Sequence, residues 1–133
     1  MSQENVETAR KSLEAFDRRD RAAWLAVHGP DHEAVPDPSF PEAVTARGRE
    51  SVWELYIRMA EPFESVSIGD AEIVDAGADK VLVHQRAAGR GLASGAQVEM
   101  DIWYVLTFRE GLIVRDQLFV GRTHALEAAG LSD

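Results

Sequence analysis

The chain has 133 residues and a formal net charge of −9, from 14 Lys and Arg against 23 Asp and Glu. This balance argues against nucleic-acid or anionic-membrane partners, because both attract clustered positive charge. The absence of Cys excludes disulfides and thiolate chemistry. No apolar run approaches the roughly 20 residues that span a bilayer, and the polar start carries no signal peptide. We therefore expect one cytoplasmic domain over residues 1–133.

The first half of the chain has the spacing of helices. A stripe of apolar residues at steps of three and four predicts a helix over residues 4–19, formed by Val6, Ala9, Leu13 and Phe16. Asp20 is placed to cap a second helix over 21–28, which Gly29 and Pro30 would end. A short strand is expected over 32–35.

A loop over residues 37–41 and a third helix complete this half. The two prolines of the loop oppose regular pairing. The third helix is predicted over 49–60, with Pro62 as its stop.

The second half changes to a period of two, which is typical of strands. Strands are predicted over 66–74, 80–88 and 112–120, with a glycine-rich hairpin over 89–95. The clearest strand carries one alternating set of residues, namely Val98, Met100, Ile102, Tyr104, Leu106 and Phe108. A last helix over 123–129 closes at Gly130. Helices followed by antiparallel strands indicate an α+β fold.

The opposite face of the clearest strand also carries large apolar residues. Trp103 and Val105 lie there, and strand parity places His84 beside them. Because an antiparallel sheet normally exposes one face to water, we expect a homodimer through this outer face. Cover by the C-terminal helix or a loop is the alternative.

Several short motifs combine with this element order. They are Arg47-Gly48-Arg49, the glycine-rich hairpin, the turn and strand over 108–115, and the closing segment over 125–131. On these features the chain resembles the SnoaL-like branch of the nuclear-transport-factor-two-like superfamily, which includes ketosteroid isomerases and polyketide cyclases. The resemblance implies a cone-shaped α+β barrel, in which N-terminal helices pack on a strongly bent antiparallel sheet around an apolar pocket. The fold does not fix the chemistry, because members differ in activity.

Asp116 is the first candidate catalytic residue. Parity places it with Val114, Leu118 and Val120 on the pocket face, where loss of hydration would raise its pKa. Its strand also resembles the last strand of limonene-type epoxide hydrolases. Pairing with Arg86 or Arg115, or exposure at a bulge, is the alternative.

Epoxide hydrolysis is disfavoured by two other positions. By resemblance, that chemistry needs an Arg and a second Asp where this chain has Gln85 and Ala87. Neither residue supplies the missing charge.

Asp37 is the second candidate, because Asp37-Pro38 resembles the stretch that carries the general base of ketosteroid isomerases. The two oxyanion donors of that family would fall on Ser12 and Tyr104 here. The carboxylic acid of the family is lost, which argues against steroid isomerisation. A loop acid that starts a turn is the alternative reading of Asp37.

Aromatic and apolar side chains are expected to line the pocket and bind a flat ligand. The predicted ligand-binding residues are Trp53, Tyr56, Met100, Phe108 and Leu118. We further predict that Tyr104 hydrogen-bonds to Asp116. Plain core packing is the alternative for most of this set.

No metal site is predicted from the four histidines. His28 and His32 are four residues apart, but Gly29 and Pro30 break the helix that would align them. The hairpin glycines do not have dinucleotide-binding spacing, so no cofactor is expected.

Together these features predict a protein with a pocket for a small hydrophobic molecule. It would act as a cofactor-free acid–base isomerase, cyclase or dehydratase through Asp116. A non-catalytic ligand-binding module, or a dimeric interaction module of the same fold, is the alternative.

Overall fold

Helices dominate the first half of the chain and strands dominate the second half, as the sequence predicts. The computed structural model describes residues 2–37, 44–61, 63–68 and 71–132. In chain order the elements are α1 Ser2–Asp17, α2 Arg21–Ala26, β1 His28–Pro36, β2 Ala46–Arg47, α3 Arg49–Ala60, β3 Phe63–Ile68, β4 Glu72–Gly77, β5 Lys80–Gly91, β6 Gln97–Arg109, β7 Leu112–Phe119 and α4 Arg122–Ala129. The α+β class is confirmed. Among the described residues, no helix is both long and apolar enough to cross a membrane.

The strands form one sheet in the order β2-β1-β7-β6-β5-β3, and β4 also pairs with β5. β1 and β7 run parallel, whereas the other pairs are antiparallel. β5 pairs with β4 over its first half and with β3 over its second half. This change of partner lets the long β5–β6 pair bend over the helices.

The second helix ends earlier than predicted. Asp20 caps it as expected, since its carboxylate accepts a hydrogen bond from the Ala23 amide at 3.1 Å. Gly29 and Pro30, however, belong to β1 rather than to a helix end. Gly29 lies close to β7, since a Cβ there would be 3.2 Å from Val114 Cγ1, a tight contact that a small shift of the valine side chain would have to relieve. Pro30 is tolerated because the β1–β7 register shifts between His28 and Glu33.

A bulge in β7 changes which of its residues face the core. Thr107 pairs with Arg115, but Phe108 pairs with Ile113, so Val114 is an extra residue. Ile113 is therefore buried in the core, and the prediction that Val114 faces the pocket is wrong. Asp116 lies beyond the bulge and keeps its predicted face.

The outer face of the sheet is covered within the chain at its centre. Val105 is 0% exposed and packs against α4 together with Leu82, Ala125, Leu126 and Ala129. The alternative prediction, that the C-terminal helix covers this face, is therefore correct for Val105. This residue gives no support to a homodimer. Trp103 is half-buried beside it and stacks on His84, with ring centroids 4.4 Å apart.

His84 lies between two carboxylates on this outer face. Its Nδ1 is 2.9 Å from Glu72 Oε1, and its Nε2 is 3.0 Å from Asp101 Oδ1. Partial burial works to lower the pKa of His84, but the hydrogen bonds to Glu72 and Asp101 outweigh it, and the pKa is raised above the ordinary 6.5.

We expect the interactions of His84 with Glu72 and Asp101 to contribute more to the stability of the fold at acidic pH than at alkaline pH. Because the folded pKa of His84 is raised, its contribution is complete below the unfolded pKa and is lost as pH rises through the folded value. His84→Gln should therefore lower Tm more at about pH 5.5 than at about pH 8.5, by roughly 1–3 °C for an exposed pair. Thermal denaturation followed by circular dichroism checks this, with the exposed His124→Gln as control. An equal loss at both pH values would contradict the assignment.

Candidate functional site

An apolar cavity of about 130 Å³ lies between the helices and the inner face of the sheet. Its wall among the described residues comes from α1, α2, α3 and strands β5, β6 and β7. The lining residues are Ser12, Leu13, Phe16, Trp24, Tyr56, Met59, Ala60, Val83, Gln85, Ala87, Ile102, Tyr104, Leu106, Asp116 and Leu118. Among the residues that the structure describes, the cavity wall thus has one acidic side chain with mostly apolar neighbours.

Asp116 is 4% exposed and has two close partners. The Tyr56 hydroxyl donates a hydrogen bond to Asp116 Oδ2 at 2.7 Å. On the other side, His32 Nε2 lies 2.9 Å from Asp116 Oδ1. The alternative arginine partners are engaged elsewhere, since Arg86 lies 3.6 Å from Asp101 and Arg115 lies 3.4 Å from Glu33.

The pKa of Asp116 moves opposite to the predicted direction. Burial raises the pKa of a carboxyl group, and the sequence prediction used that effect alone. The nearby His32 and His28, together with the hydrogen bond from Tyr56, outweigh burial and lower the pKa of Asp116 from its ordinary 3.8. The predicted rise is wrong, and the buried carboxylate stays ionised at neutral pH.

His28 is held in one tautomer beneath the cavity wall. Its Nδ1 donates to the Trp24 carbonyl oxygen at 2.6 Å, and its ring stacks on the Trp24 indole with centroids 3.7 Å apart. Its Nε2 lies 3.4 Å from Ser12 Oγ. Burial is the main cause that lowers the pKa of His28 to about 4. At neutral pH the ring is uncharged, with the Nε2 lone pair directed away from Trp24.

β1 brings His28 and His32 together, contrary to the sequence prediction. Both side chains are buried, and their ring centroids are 4.5 Å apart. In a regular strand, residues four apart are separated by roughly 13 Å. The register of β1 against β7 shifts between His28 and Glu33, and this irregularity brings the two rings together. Spacing along the sequence alone does not predict the contact.

Four buried polar atoms of the described residues have no aligned hydrogen-bond partner: His32 Nδ1, His32 Nε2, Asp116 Oδ1 and Gln85 Nε2. The short contact between His32 and Asp116 is therefore an ion-pair distance without good N–H···O alignment. Gln85 lines the cavity, so its amide is an unused donor at the wall.

Gln85, Tyr104 and Asp116 form a diagonal row across three adjacent strands. Gln85 pairs with Ile102, two residues from Tyr104, and Asp116 pairs with Leu106, two residues on from Tyr104. Diagonal neighbours on one face are within reach of long side chains. Burial and the charge of Asp116 raise the pKa of the Tyr104 hydroxyl, so this group remains a donor.

The SnoaL-like domain model matches residues 9–116, which is most of the chain. The chain belongs to the SnoaL-like domain family. The predicted superfamily and the cone-shaped fold are therefore confirmed. No curated protein is similar enough to this SnoaL-like chain to count as a match.

Solved structures share this cone over nearly the whole chain. An NTF2-like protein from Burkholderia xenovorans LB400 is 28% identical, covers 97% of both chains and has a TM-score of 0.76. TerC, co-crystallized with polyporic acid, is 20% identical over 96% of this chain and 98% of its own, with a TM-score of 0.76. A hypothetical protein from Catenulispora acidiphila DSM 44928, with a ketosteroid isomerase-like fold and in complex with trimethylamine, is 20% identical over 95% and 94%, with a TM-score of 0.68.

The SnoaL-like cone brings only part of the predicted site together. Asp116, Tyr104, Tyr56 and Leu118 all line the cavity. The hydrogen bond to Asp116 comes from Tyr56 on α3 and not from Tyr104, which corrects the predicted pair.

The other predicted site residues lie outside the cavity wall. Trp53 packs in the core with its ring edge against Phe16, at a centroid distance of 5.5 Å. Phe108 is buried in a separate cluster next to the β7 bulge. Met100 is 42% exposed and pairs with Ala87 at the cavity edge. Asp37 follows β1, where its amide donates to the Leu118 carbonyl at 2.8 Å.

Proposed function

We propose that this SnoaL-like protein is an acid–base enzyme that isomerises, cyclises or dehydrates a small, mostly apolar carbonyl compound. The observation that carries this proposal is the position of the buried Asp116 carboxylate in the wall of an apolar cavity. A base in such a site meets a bound C–H group without competition from bulk water. Membership of a family that includes isomerases and cyclases supports the same chemistry.

Asp116 would take a proton from the carbon next to the carbonyl group. The C–H bond breaks, the proton moves to the carboxylate, and the electron pair forms an enolate. The Gln85 amide and the Tyr104 hydroxyl are the donors for the enolate oxygen, because both line the cavity. When a C=C bond is conjugated with the enolate, return of the proton to the far end of that bond completes an isomerisation. Loss of a β-hydroxyl group, which takes the proton from Asp116 and leaves as water, completes a dehydration.

The size of the cavity limits the substrate. A cavity of about 150 Å³ in another protein is large enough for benzene. The present volume of about 130 Å³ therefore suits a molecule built around one six-membered ring. Of the described residues, Phe16, Trp24, Tyr56 and Tyr104 contribute aromatic rings to the cavity wall, and these rings favour a flat ring.

Hydrogen–deuterium exchange into cyclohexanone tests the proton-transfer step directly. In D₂O the protein should accelerate exchange at the carbons next to the carbonyl group, as followed by NMR. Asp116→Asn should slow this exchange by at least about 100-fold, because the amide is not a base. Asp101→Asn is the matched control, since Asp101 lies on the outer face of β6 and should leave the rate unchanged.

Two outcomes would overturn the proposal. One is a wild-type protein that exchanges cyclohexanone no faster than buffer. The other is an Asp116→Asn variant, folded by circular dichroism, that retains the wild-type rate.

Non-catalytic binding of a small organic cation is the second candidate function. The same four aromatic rings and the ionised Asp116 form the type of site that holds alkylammonium groups. The Catenulispora acidiphila relative in complex with trimethylamine adds support. Calorimetry with trimethylammonium distinguishes the two functions: binding that depends on Asp116, without any exchange activity, favours this second one.

A further inference from the structure

We propose that His28, His32 and Asp116 bind a divalent transition-metal ion. This inference does not depend on the proposed function. One ligand atom from each of the three side chains lies within 4.8 Å of the other two, and all three side chains are buried. Two imidazole nitrogens and one carboxylate oxygen are a donor set that Zn²⁺ and Fe²⁺ accept.

His28 is prepared for metal binding by its hydrogen bond to the backbone. Its Nδ1 donates to the Trp24 carbonyl, which leaves Nε2 without a proton and able to bind a metal ion. A metal-binding histidine almost always has such a partner for its other nitrogen, because the partner fixes the tautomer and the ring orientation.

The unsatisfied atoms of the cluster are a second, independent observation. His32 Nε2 and Asp116 Oδ1 are buried and 2.9 Å apart, yet neither has an aligned hydrogen bond. Buried polar atoms without partners are rare in folded proteins and call for a ligand, an ion or a water molecule. An ion between these two atoms would give both of them a partner.

The spacing needs only side-chain adjustment to suit such an ion. Bonds of 2.0–2.1 Å in a tetrahedral site put neighbouring ligand atoms about 3.3 Å apart. The contact between His32 and Asp116 would widen slightly, and the longer separations within the cluster would shorten. Ser12 Oγ lies 3.4 Å from His28 Nε2. Ser12 could therefore bind the ion as a fourth ligand, or hydrogen-bond to a water molecule that does so.

The cavity provides the entry path. Asp116 and Ser12 line it, whereas His28 and His32 lie behind the wall. An ion would therefore bind on the Oδ1 side of the carboxylate. Oδ2 would keep its hydrogen bond from Tyr56 on the other side.

Isothermal calorimetry of the metal-stripped full chain with Zn²⁺ alone tests the site. We expect one ion per chain. His28→Gln and His32→Gln should each weaken binding by more than about 100-fold, since loss of an outer partner alone costs about 10–100-fold. His84→Gln is the matched control, because His84 also has two carboxylate neighbours but lies on the exposed outer face.

Visible spectra of the Co²⁺-loaded wild-type chain keep the proposal testable if a histidine variant does not fold. Absorption typical of four-coordinate Co²⁺ with nitrogen ligands supports the buried site. Wild-type protein that binds no stoichiometric Zn²⁺, or binding that His84→Gln removes and His32→Gln does not, would overturn it. Cyclohexanone exchange is measured on metal-free protein in EDTA, so the two proposals fail separately.

Discussion

Replacing His32 with leucine is expected to lower the free energy of unfolding by about 3–5 kcal/mol, because it leaves the buried Asp116 carboxylate without its closest polar neighbour on one side. His32 is 0% exposed, and its Nε2 lies 2.9 Å from Asp116 Oδ1. Among the described residues, the carboxylate would then keep the hydrogen bond from Tyr56, but Oδ1 would lose the polar group that lies 2.9 Å away. Leucine fills a similar volume, so the loss reports the electrostatic change and not a cavity.

A double-mutant cycle separates this pair from general core damage. Asp116→Leu alone should also destabilise the protein, since it leaves the Tyr56 hydroxyl without its acceptor and His32 Nε2 without its polar neighbour. The double variant should be more stable than the sum of the two single losses predicts, by at least about 2 kcal/mol. Urea unfolding in EDTA, followed by circular dichroism, gives the three values.

The exposed His124→Leu is the control and should change stability by less than about 0.5 kcal/mol. Strict additivity of His32→Leu and Asp116→Leu would show that the two side chains do not interact. In that case the close contact contributes nothing to stability.

Long periodic segments are the part of this fold that local patterns determine. α3 begins and ends at the predicted residues, Arg49 and Ala60, and β6 extends the predicted alternation by only one residue at each end. In both elements one regular spacing of apolar residues continues over many positions, so the local sequence pattern is sufficient to predict the element and its bounds. The pocket-facing position of Asp116 follows from the same periodicity.

Register shifts are where local patterns fail. The bulge at Val114 and the shift in β1 depend on which strand lies alongside, and the sequence of one strand does not encode its partner. The approach of His28 to His32 is a consequence of such a shift. The cover over Val105 has a similar origin, because α4 returns to the sheet only in the folded chain.

The charge state of Asp116 is the clearest example of a property set by tertiary contacts. Burial was visible from strand parity, and by itself it predicts a raised pKa. The residues that reverse the direction come from other elements, namely His32 on β1 and Tyr56 on α3. His32 and Tyr56 are distant from Asp116 in the sequence, so only the packing of their elements brings them to the carboxylate.

Trp24→Ala is expected to cost about 3–5 kcal/mol of unfolding free energy, because it removes the largest fully buried side chain and leaves a void. Trp24 stacks on His28 and packs against Trp53 and Tyr56, with centroid distances of 5.5 and 6.2 Å. Trp103→Ala is the matched control and should cost less, since Trp103 is only half-buried. Urea unfolding followed by far-UV circular dichroism measures both.

Indole distinguishes an open void from a collapsed one in the Trp24→Ala variant. The void adjoins the cavity, so indole should refill it and raise Tm as its concentration rises. The same additions should leave Trp103→Ala unchanged, because that site opens to solvent. An equal cost for the two substitutions, with no indole effect on either, would mean that Trp24 does not support the cavity wall. The aromatic side of the proposed substrate site would then have to be assigned to Phe16, Tyr56 and Tyr104 alone.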